Sequence, residues 1–245
     1  MSVGVNLSID QRCNYACAYC QIDRSGRRPA CPIDPAQLAD ELRQALEAIT
    51  TGDIWKEERF ASTPDDMRRI NDIALSGDGE PTTCEHFAAV IEAAATARRE
   101  FRLDDLKLVV ITNATCLKSP QVLAALPTLQ ANNGVFWVKL DAGTDTFYRR
   151  VNRPAGDMTL DTICENILSV AKQMPVVVQS LFFRDNDVPP PDSEIEAYIG
   201  RLRGILDAGG QIALLQIHTV ARAPSESFVS YLPDDELDAI AGKVR

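Results

Sequence analysis

The fold is constrained most by a regular alternation of apolar, β-rich runs with helical patterns. Six runs rich in valine, isoleucine and leucine are separated by segments whose apolar residues recur every three or four positions. Continuous apolar runs are typical of strands buried on both faces, and their alternation with helices indicates a parallel sheet with right-handed crossovers. The predicted strands are 3–9, 72–76, 107–112, 135–140, 176–183 and 211–218.

Start and stop signals predict helices between these strands. Asp34 is a predicted N-cap, and Pro35 suits the first helical position. The helix before the sixth strand is predicted to bury one face made of Ile195, Ile199, Leu202 and Leu206. The predicted helices are 34–50, 84–100, 119–130, 160–173, 192–210 and 233–245.

The same alternation is found in doubly wound sheets and in βα barrels. About six strands are too few for the eight of a closed barrel, so a barrel here would be open or partial. In either architecture the ligand site lies at the C-terminal ends of the strands. We predict one domain over 1–245, in which the mainly polar and irregular stretch 51–71, with Trp55 and Phe60 as its aromatic residues, is an insertion.

Charge and cysteine usage limit the partners and the compartment. The 245 residues carry a formal net charge of −10, which disfavours nucleic acid as a partner without excluding a local basic groove. The first residues have no basic leader, and no apolar run approaches the roughly 20 residues of a membrane span. A cytoplasmic protein without membrane contact is therefore expected, and the odd count of seven cysteines argues against a disulfide framework.

Polar residues follow the predicted strands, where a ligand site is expected. Lys139 and Asp141 are two positions apart and therefore face the same way, as do Gln216 and His218. Gln179 lies on the fifth strand. A Lys139–Asp141 salt bridge beneath a loop is an equally good interpretation of the first pair.

A glycine-rich turn, SGDGEPT at 76–82, follows the second strand. Glycine lets a ligand approach the backbone, and free N–H groups at a helix start favour an anion such as an α-carboxylate. Asp78 or Glu80 could hold an amine. The alternative is a tight turn whose acids cap the next helix.

Cys13, Cys17 and Cys20 follow the first strand in the octet CNYACAYC. Structural zinc sites use four ligands, and the only two histidines, His86 and His218, are not paired at ligand spacing. A catalytic thiol would not need three copies. A [4Fe–4S] cluster normally takes four thiolates, so three would leave one iron free to bind something else. The spacing favours a cluster, and a zinc- or cluster-bearing binding protein is the non-enzymatic alternative.

With CxxxCxxC after the first strand and SGDGEP after the second, the chain resembles the radical S-adenosylmethionine (SAM) superfamily. The stretches VKLDAGTDTFYRRVNRP and QIHTVARAP are similar to compact Fe–S oxidoreductases related to wyosine-tRNA synthases. The resemblance implies an α/β fold, a partial (β/α)6 TIM-like barrel of parallel strands. It also implies a [4Fe–4S] cluster and SAM as cofactors. Reductive cleavage of SAM would release a 5′-deoxyadenosyl radical that abstracts hydrogen from a substrate.

The resemblance also implies roles for individual residues. Cys13, Cys17 and Cys20 would hold the cluster. Lys139, Asp141 and His218 would be catalytic. Residues binding SAM would be Tyr19 near the adenine; Gly77, Asp78, Gly79 and Glu80 near the methionine amine; Asn113, Lys139 and Asp141 near the ribose and carboxylate; and Gln179, His218 and Val220 around the rest of the pocket.

The substrate is open between a small molecule, a peptide, a protein and, through the wyosine resemblance, a tRNA. Reduction of the cluster would need an external electron donor of the flavodoxin or ferredoxin type. The basic cluster Arg149, Arg150 and Arg153 is either a solvated helix face or an anion site at the barrel mouth, with Arg184 and Arg222 joining Arg153 there. The remaining cysteines are predicted to be buried thiols: Cys31, Cys84, Cys116 and Cys164.

Overall fold

Eight strands form two sheets in the computed structural model, which describes residues 1–24, 29, 31–222, 224 and 226–244. The strands are β1 (Ser2–Val5), β2 (Asp72–Leu75), β3 (Lys107–Thr112), β4 (Gly134–Lys139), β5 (Val176–Leu181), β6 (Arg184–Asp185), β7 (Ile212–His218) and β8 (Val229–Ser230). Six of them form one sheet in the order β1-β2-β3-β4-β5-β7, with every pair parallel. The other two, β6 and β8, pair antiparallel as a short ribbon.

Helices follow the strands and cover the outer face of the large sheet. They are α1 (Pro35–Thr50), α2 (Glu58–Ala61), α3 (Phe87–Glu100), α4 (Pro120–Ala131), α5 (Asp145–Val151), α6 (Leu160–Ala171), α7 (Asp192–Asp207) and α8 (Asp234–Val244). Leu108, Phe136 and Val178 belong to the main core together with helical side chains such as Leu46 and Ile91. Burying each such side chain contributes about 1.5–3 kcal/mol.

The architecture is a mixed α/β fold, a partial (β/α)6 TIM-like barrel, as the resemblance implies. Each predicted strand and each predicted helix has a counterpart, although most bounds differ by a few residues. The N-cap prediction is confirmed, because the Asp34 side chain accepts a hydrogen bond from the Ala36 amide at 2.9 Å. β1 and β7 form the two edges, so the sheet is open within the described part of the chain.

Two local predictions are wrong. Leu206 was expected in the buried face of α7, but it is 49% exposed while Ile205 is 2% exposed. The buried face of that helix is centred closer to Tyr198, so Leu206 falls at its margin in the last turn. The first strand ends at Val5 rather than at residue 9, because the Asn6 side chain accepts the Ser8 amide at 3.0 Å and turns the chain.

The polar stretch 51–71 contains α2 and two single 3₁₀ turns, Asp53–Lys56 and Asp65–Met67. The Trp55 and Phe60 rings meet edge to face at 6.4 Å between centroids. That this stretch is an insertion, and that 1–245 is one domain, stay predictions. In the described part of the chain no helix is both long and apolar enough to cross a membrane. Ala223 of the QIHTVARAP motif and the final Arg245 lie outside the described residues.

Candidate functional site

The three motif cysteines line one cavity of about 180 Å³ at the C-terminal ends of the first strands. Each of the three is half-buried. Their loop brings them against the glycine turn after β2, the end of β3 and the end of β4, as parallel strands require of their connecting loops. The other predicted site residues in the wall are Tyr19, Gly77, Gly79, Glu80, Asn113 and Lys139.

The cysteine loop is fastened to residues 151–155, which form the end of α5 and the segment after it. The Ala18 amide donates to the Val151 carbonyl at 2.8 Å, and the Ala16 amide donates to the Arg153 carbonyl at 3.2 Å. The Ala155 amide returns a hydrogen bond to the loop at 2.9 Å, on the Asn14 carbonyl. These backbone bonds fix a loop that has no regular secondary structure of its own.

Two of the thiols accept hydrogen bonds from buried asparagines. Asn113 Nδ2 lies 3.8 Å from Cys13 Sγ, and Asn152 Nδ2 lies 3.7 Å from Cys17 Sγ. Arg24 lies 3.7 Å from the third thiol, Cys20 Sγ. Such donors suit a thiolate better than a neutral thiol.

Burial opposes ionisation of Cys13 and Cys17 when no metal is bound. It raises the pKa of Cys17 to about 11, although Lys139 acts in the opposite direction. It also raises the pKa of Cys13 above its ordinary value. A metal ion bound to these sulfurs would favour the thiolate and release the protons, so metal binding at this site would depend on pH.

Tyr19 joins the two charged residues at the end of β4. Lys139 Nζ donates to the Tyr19 hydroxyl at 3.0 Å and lies 4.7 Å from the ring centroid. The same hydroxyl donates to Asp141 Oδ2 at 2.5 Å. Burial and the Asp141 charge raise the pKa of Tyr19 well above its ordinary value, so the phenol stays protonated. Lys139 and Asp141 therefore interact through Tyr19, and only Lys139 reaches the cavity wall.

Asp141 lies beneath the cavity and is 2% exposed. Besides Tyr19, its carboxylate accepts Asn152 Nδ2 at 2.8 Å and the Leu181 amide at 2.9 Å. With three donors around it, the carboxylate ties the cysteine loop, the end of α5 and the end of β5 together. This side chain faces the protein interior, whereas it was predicted to line the ribose side of a pocket.

The glycine turn is packed too tightly for any side chain at Gly79. A Cβ there would lie 2.0 Å from the Arg12 carbonyl and 2.4 Å from Ser8 Oγ. Gly77 has φ +143°, and a Cβ on it would lie 2.4 Å from Asn6 Oδ1. The turn needs glycine at both positions because it is pressed against the segment that leads into the cysteines.

Glu80 has a structural role in this turn. It is 2% exposed, and its carboxylate accepts from the Thr82 amide at 3.1 Å, the Thr112 hydroxyl at 2.5 Å and the Asn113 amide at 2.6 Å. Burial raises its pKa, and these donors act in the opposite direction. The carboxylate thus joins the turn after β2 to the end of β3. Glu80 therefore caps the helical turn that follows it, which is the second interpretation of the glycine turn. Its carboxylate already has hydrogen-bond donors and does not need an amine.

No protein-family model matches the chain. A UPF0026 protein of Methanocaldococcus jannaschii is 25% identical over 170 residues, which are 69% of this chain and 45% of that protein. A UPF0026 protein of Synechocystis is 29% identical over 170 residues, 67% of this chain and 54% of that protein. The match therefore spans about half the length of these curated relatives.

Solved structures share the fold over nearly the whole chain. SuiB of Streptococcus suis bound to S-adenosylmethionine superposes with a TM-score of 0.65 at 11% identity, covering 99% of this chain and 46% of SuiB. A radical SAM methyltransferase from Sphaerobacter thermophilus gives 0.61 at 12% identity, covering 100% of this chain and 63% of that one. TYW1 with a lysine–pyruvate adduct gives 0.63 at 15% identity, covering 95% of this chain and 69% of TYW1.

This chain has the fold of the radical SAM enzymes. The resemblance drawn from the cysteine motif and the glycine turn is confirmed at the level of the fold. At these identities the likeness concerns the fold alone, so the roles of individual residues rest on their geometry in this chain.

The donor set of the cavity fits an iron–sulfur cluster. Three thiols on one loop share a wall with N–H donors and are half-buried. Within the described residues, no three histidine, cysteine, aspartate or glutamate side chains converge on a position for a single metal ion. A cluster does not require such convergence, because each thiolate binds a different iron.

Four predicted site residues lie outside the cavity wall in addition to Asp141: Asp78, Gln179, His218 and Val220. Asp78 Oδ2 accepts hydrogen bonds from Asn6 Nδ2 at 3.3 Å and from Gln11 Nε2 at 3.5 Å. Gln179 Nε2 donates to Gln216 Oε1 at 3.1 Å across neighbouring strands. Val220 packs in a small second core that includes Ala18 of the cysteine loop. These residues surround the site without lining the cavity.

His218 has a buried Nδ1 with no hydrogen-bond partner in the described part of the chain. Burial lowers its pKa, Lys139 lowers it further, and Asp141 acts in the opposite direction. The ring is therefore expected to be neutral at physiological pH. Because the pKa of His218 is lower in the folded than in the unfolded chain, burying the neutral imidazole favours folding fully only above the ordinary imidazole pKa of about 6.5. This part of the free energy of unfolding is lost as the pH falls through the folded pKa.

Proton NMR of the chain without added ligands tests this protonation state. With only two histidines, the His86→Gln variant assigns both C2 resonances. We expect the His218 midpoint to fall below about 6.5. A midpoint at or above that value would mean that the imidazole is stabilised in its charged form, contrary to the packing described.

The arginines after β4 are paired with carboxylates. Arg149 and Arg150 bind Asp145 and Asp185 at 2.9 and 2.7 Å. Arg153 binds Glu226 at 2.5 Å, and Arg184 binds Glu236 at 2.5 Å. Each of these four guanidinium groups therefore already has a carboxylate partner. Arg222 is exposed.

The remaining cysteines are free thiols outside the cavity. Cys84, Cys116 and Cys164 are half-buried. Cys31 is exposed, so the prediction of a buried thiol is wrong for that residue. It precedes α1 in a loop that leaves the side chain at the surface.

Sequence reasoning missed two residues of the site. Asn152 contacts both Cys17 and Asp141, and Asn14 accepts Asn113 Nδ2 at 2.7 Å. Asn14 lies inside the cysteine motif, which was a signal that it faces the site. Asn152 lies in the stretch VNRP, where no spacing rule connects it to the cysteines.

Proposed function

We propose that this chain is a radical SAM enzyme of the oxidoreductase or lyase type in which Cys13, Cys17 and Cys20 hold a [4Fe–4S] cluster. One observation carries the proposal. Three thiols supplied with N–H donors share a single cavity with a glycine turn and a lysine, at the strand ends of a radical SAM fold. Three protein ligands leave one iron to bind the cosubstrate.

When bound, the cluster would supply the one electron that cleaves a C–S bond of SAM and releases the 5′-deoxyadenosyl radical for hydrogen abstraction. The chain's own residues bind and orient the cosubstrate. Lys139 places an ammonium in the cavity wall, where it would pair with the methionine carboxylate. Gly77 and Gly79 line the cavity, and their backbone carbonyl groups would accept hydrogen bonds from the methionine amine. Glu80 does not take this role, because its carboxylate already accepts hydrogen bonds from Thr112 and Asn113.

Tyr19 has two tasks in this proposal. Its hydroxyl holds Lys139 in place, and its ring is part of the cavity wall next to Cys20. The ring packs edge to face on Phe183 at 6.3 Å, which keeps this side of the cavity apolar. An apolar wall excludes water from a reactive intermediate.

The substrate in this proposal is a small molecule, a peptide or a protein. SuiB, one of the structures with this fold, has been solved with a precursor peptide. The pairing of the arginines with carboxylates removes the main argument for a strongly anionic substrate. The electron would come from an external donor of the flavodoxin or ferredoxin type.

Anaerobic reconstitution with iron and sulfide tests the proposal. We expect about four irons per chain, as in a [4Fe–4S] cluster. Addition of dithionite and SAM should then yield 5′-deoxyadenosine and methionine. A colourless protein with one zinc per chain would favour the binding-protein alternative, and a full cluster that leaves SAM intact under strong reduction would contradict the proposal.

The Lys139→Met variant is expected to bind SAM roughly 10- to 100-fold more weakly, the effect of losing one charge-assisted hydrogen bond of about 1.5–3 kcal/mol. Iron content should stay at the level of the unmodified protein, because the three thiols, and not Lys139, would be the ligands of the cluster. Equilibrium binding of SAM to the reconstituted protein measures the change. Lys118→Met is the matched control, since that lysine is exposed and pairs with Glu165 at 3.3 Å. Equal affinities of the two variants would contradict the role of Lys139.

A further inference from the structure

The residues on either side of Cys17 are held by a single tripeptide, 151–153. The amides of Ala16 and Ala18 donate to the carbonyls of Arg153 and Val151. Asn152, between these two carbonyls, directs its side chain to the thiol itself. Cys17 is thus fixed by two backbone bonds and one side-chain bond from the same three residues.

The Asn152 amide bridges a thiol and a carboxylate. The residue is 2% exposed, and Nδ2 lies 3.7 Å from Cys17 Sγ and 2.8 Å from Asp141 Oδ2. An amide NH2 group has two hydrogens, so it serves both acceptors at once. Because a carboxylate can only accept hydrogen bonds, the nitrogen of the Asn152 amide, and not its oxygen, must face Asp141 and Cys17. Water cannot replace it easily at this depth.

We propose that Asn152 is a positioning residue that sets the reduction potential of the cluster through its N–H bond to Cys17. This inference rests on the proposed function. Reduction adds negative charge to a cluster, and hydrogen bonds to the cluster sulfurs stabilise that charge and raise the potential. Asp141 lies on the other side of the same NH2 group, so the amide separates the thiolate from a buried negative charge.

The test is an anaerobic redox titration of the reconstituted protein, followed by electron paramagnetic resonance of the reduced cluster. Asn152→Leu removes the donor while keeping the branching and the number of heavy atoms of the side chain. We expect a shift of the midpoint to a more negative potential. Asn152→Ala removes the same donor with a small apolar residue, and it serves as the test if the leucine variant does not fold.

Asn132→Leu is the matched control. Asn132 is also a buried asparagine, 5% exposed, and its amide donates to the Thr128 carbonyl at 2.8 Å at the opposite end of β4. That variant should lose thermal stability with no change in potential. A fully formed cluster with the same midpoint in the Asn152 variants and the unmodified protein would overturn the inference while leaving the proposed function intact. If no cluster forms in the unmodified protein, both are overturned.

Discussion

Replacing Cys17 by alanine is expected to remove the cluster and reduce the formation of 5′-deoxyadenosine to background. Cys17 lies in the middle of the segment held by residues 151–153, so no neighbouring thiol can take its place without breaking those bonds. Two remaining thiolates would not hold a cluster that already has one fewer protein ligand than usual. The measurements are iron and sulfide per chain, the visible absorption of the reconstituted protein, and 5′-deoxyadenosine by chromatography.

Cys164→Ala is the matched control for this loss. Cys164 is also a half-buried free thiol whose pKa burial raises to about 11, but it lies on α6 away from the cavity. Its loss should leave iron content and activity unchanged. Circular dichroism should show a folded chain for both variants, because deleting one small side chain costs on the order of 1 kcal/mol. A Cys17→Ala protein that retains a full cluster would exclude Cys17 as a ligand.

The strands and the polar residues at their C-terminal ends could be predicted from the sequence, because both depend on local signals. Runs such as 108–111 are apolar without interruption, and a parallel sheet places every strand's end at the same edge. It follows that the cysteine loop, the glycine turn and Lys139 would meet, and they line one cavity. Neither step needs side-chain detail.

Side-chain partners could not be predicted in this way, because they depend on contacts between distant segments. Lys139 and Asp141 share a face in sequence terms, yet Tyr19 stands between them and leaves only Lys139 at the cavity. Glu80 was a candidate for binding an amine, but its carboxylate accepts hydrogen bonds from the Thr112 hydroxyl at the end of β3 and from the Asn113 amide that follows it. Asn152 has no local signal at all, since its two partners lie 135 and 11 residues away along the chain.

The Gly79→Ala variant is expected to destabilise the fold and to lose iron together. A methyl group at this position would lie 2.0 Å from the Arg12 carbonyl, which belongs to the backbone next to Cys13 and cannot rotate away. Relief requires a shift of the cysteine loop or of the glycine turn, and such overpacking costs about 1–3 kcal/mol or more. For a chain of this size each kcal/mol corresponds to about 2–4 °C in Tm. Differential scanning calorimetry and iron analysis after reconstitution measure the two losses.

Gly200→Ala separates this steric effect from the general effect of removing a glycine. Gly200 lies inside α7, and a Cβ there would meet no atom within 4 Å. Alanine should therefore raise stability by about 0.5–1 kcal/mol, because it favours the helix, and leave iron content unchanged. The opposite signs of the two shifts are the decisive comparison. If Gly79→Ala were as stable and as iron-rich as the Gly200 variant, the turn would not press on the cysteine loop, and the close approach could not be what shapes the cavity.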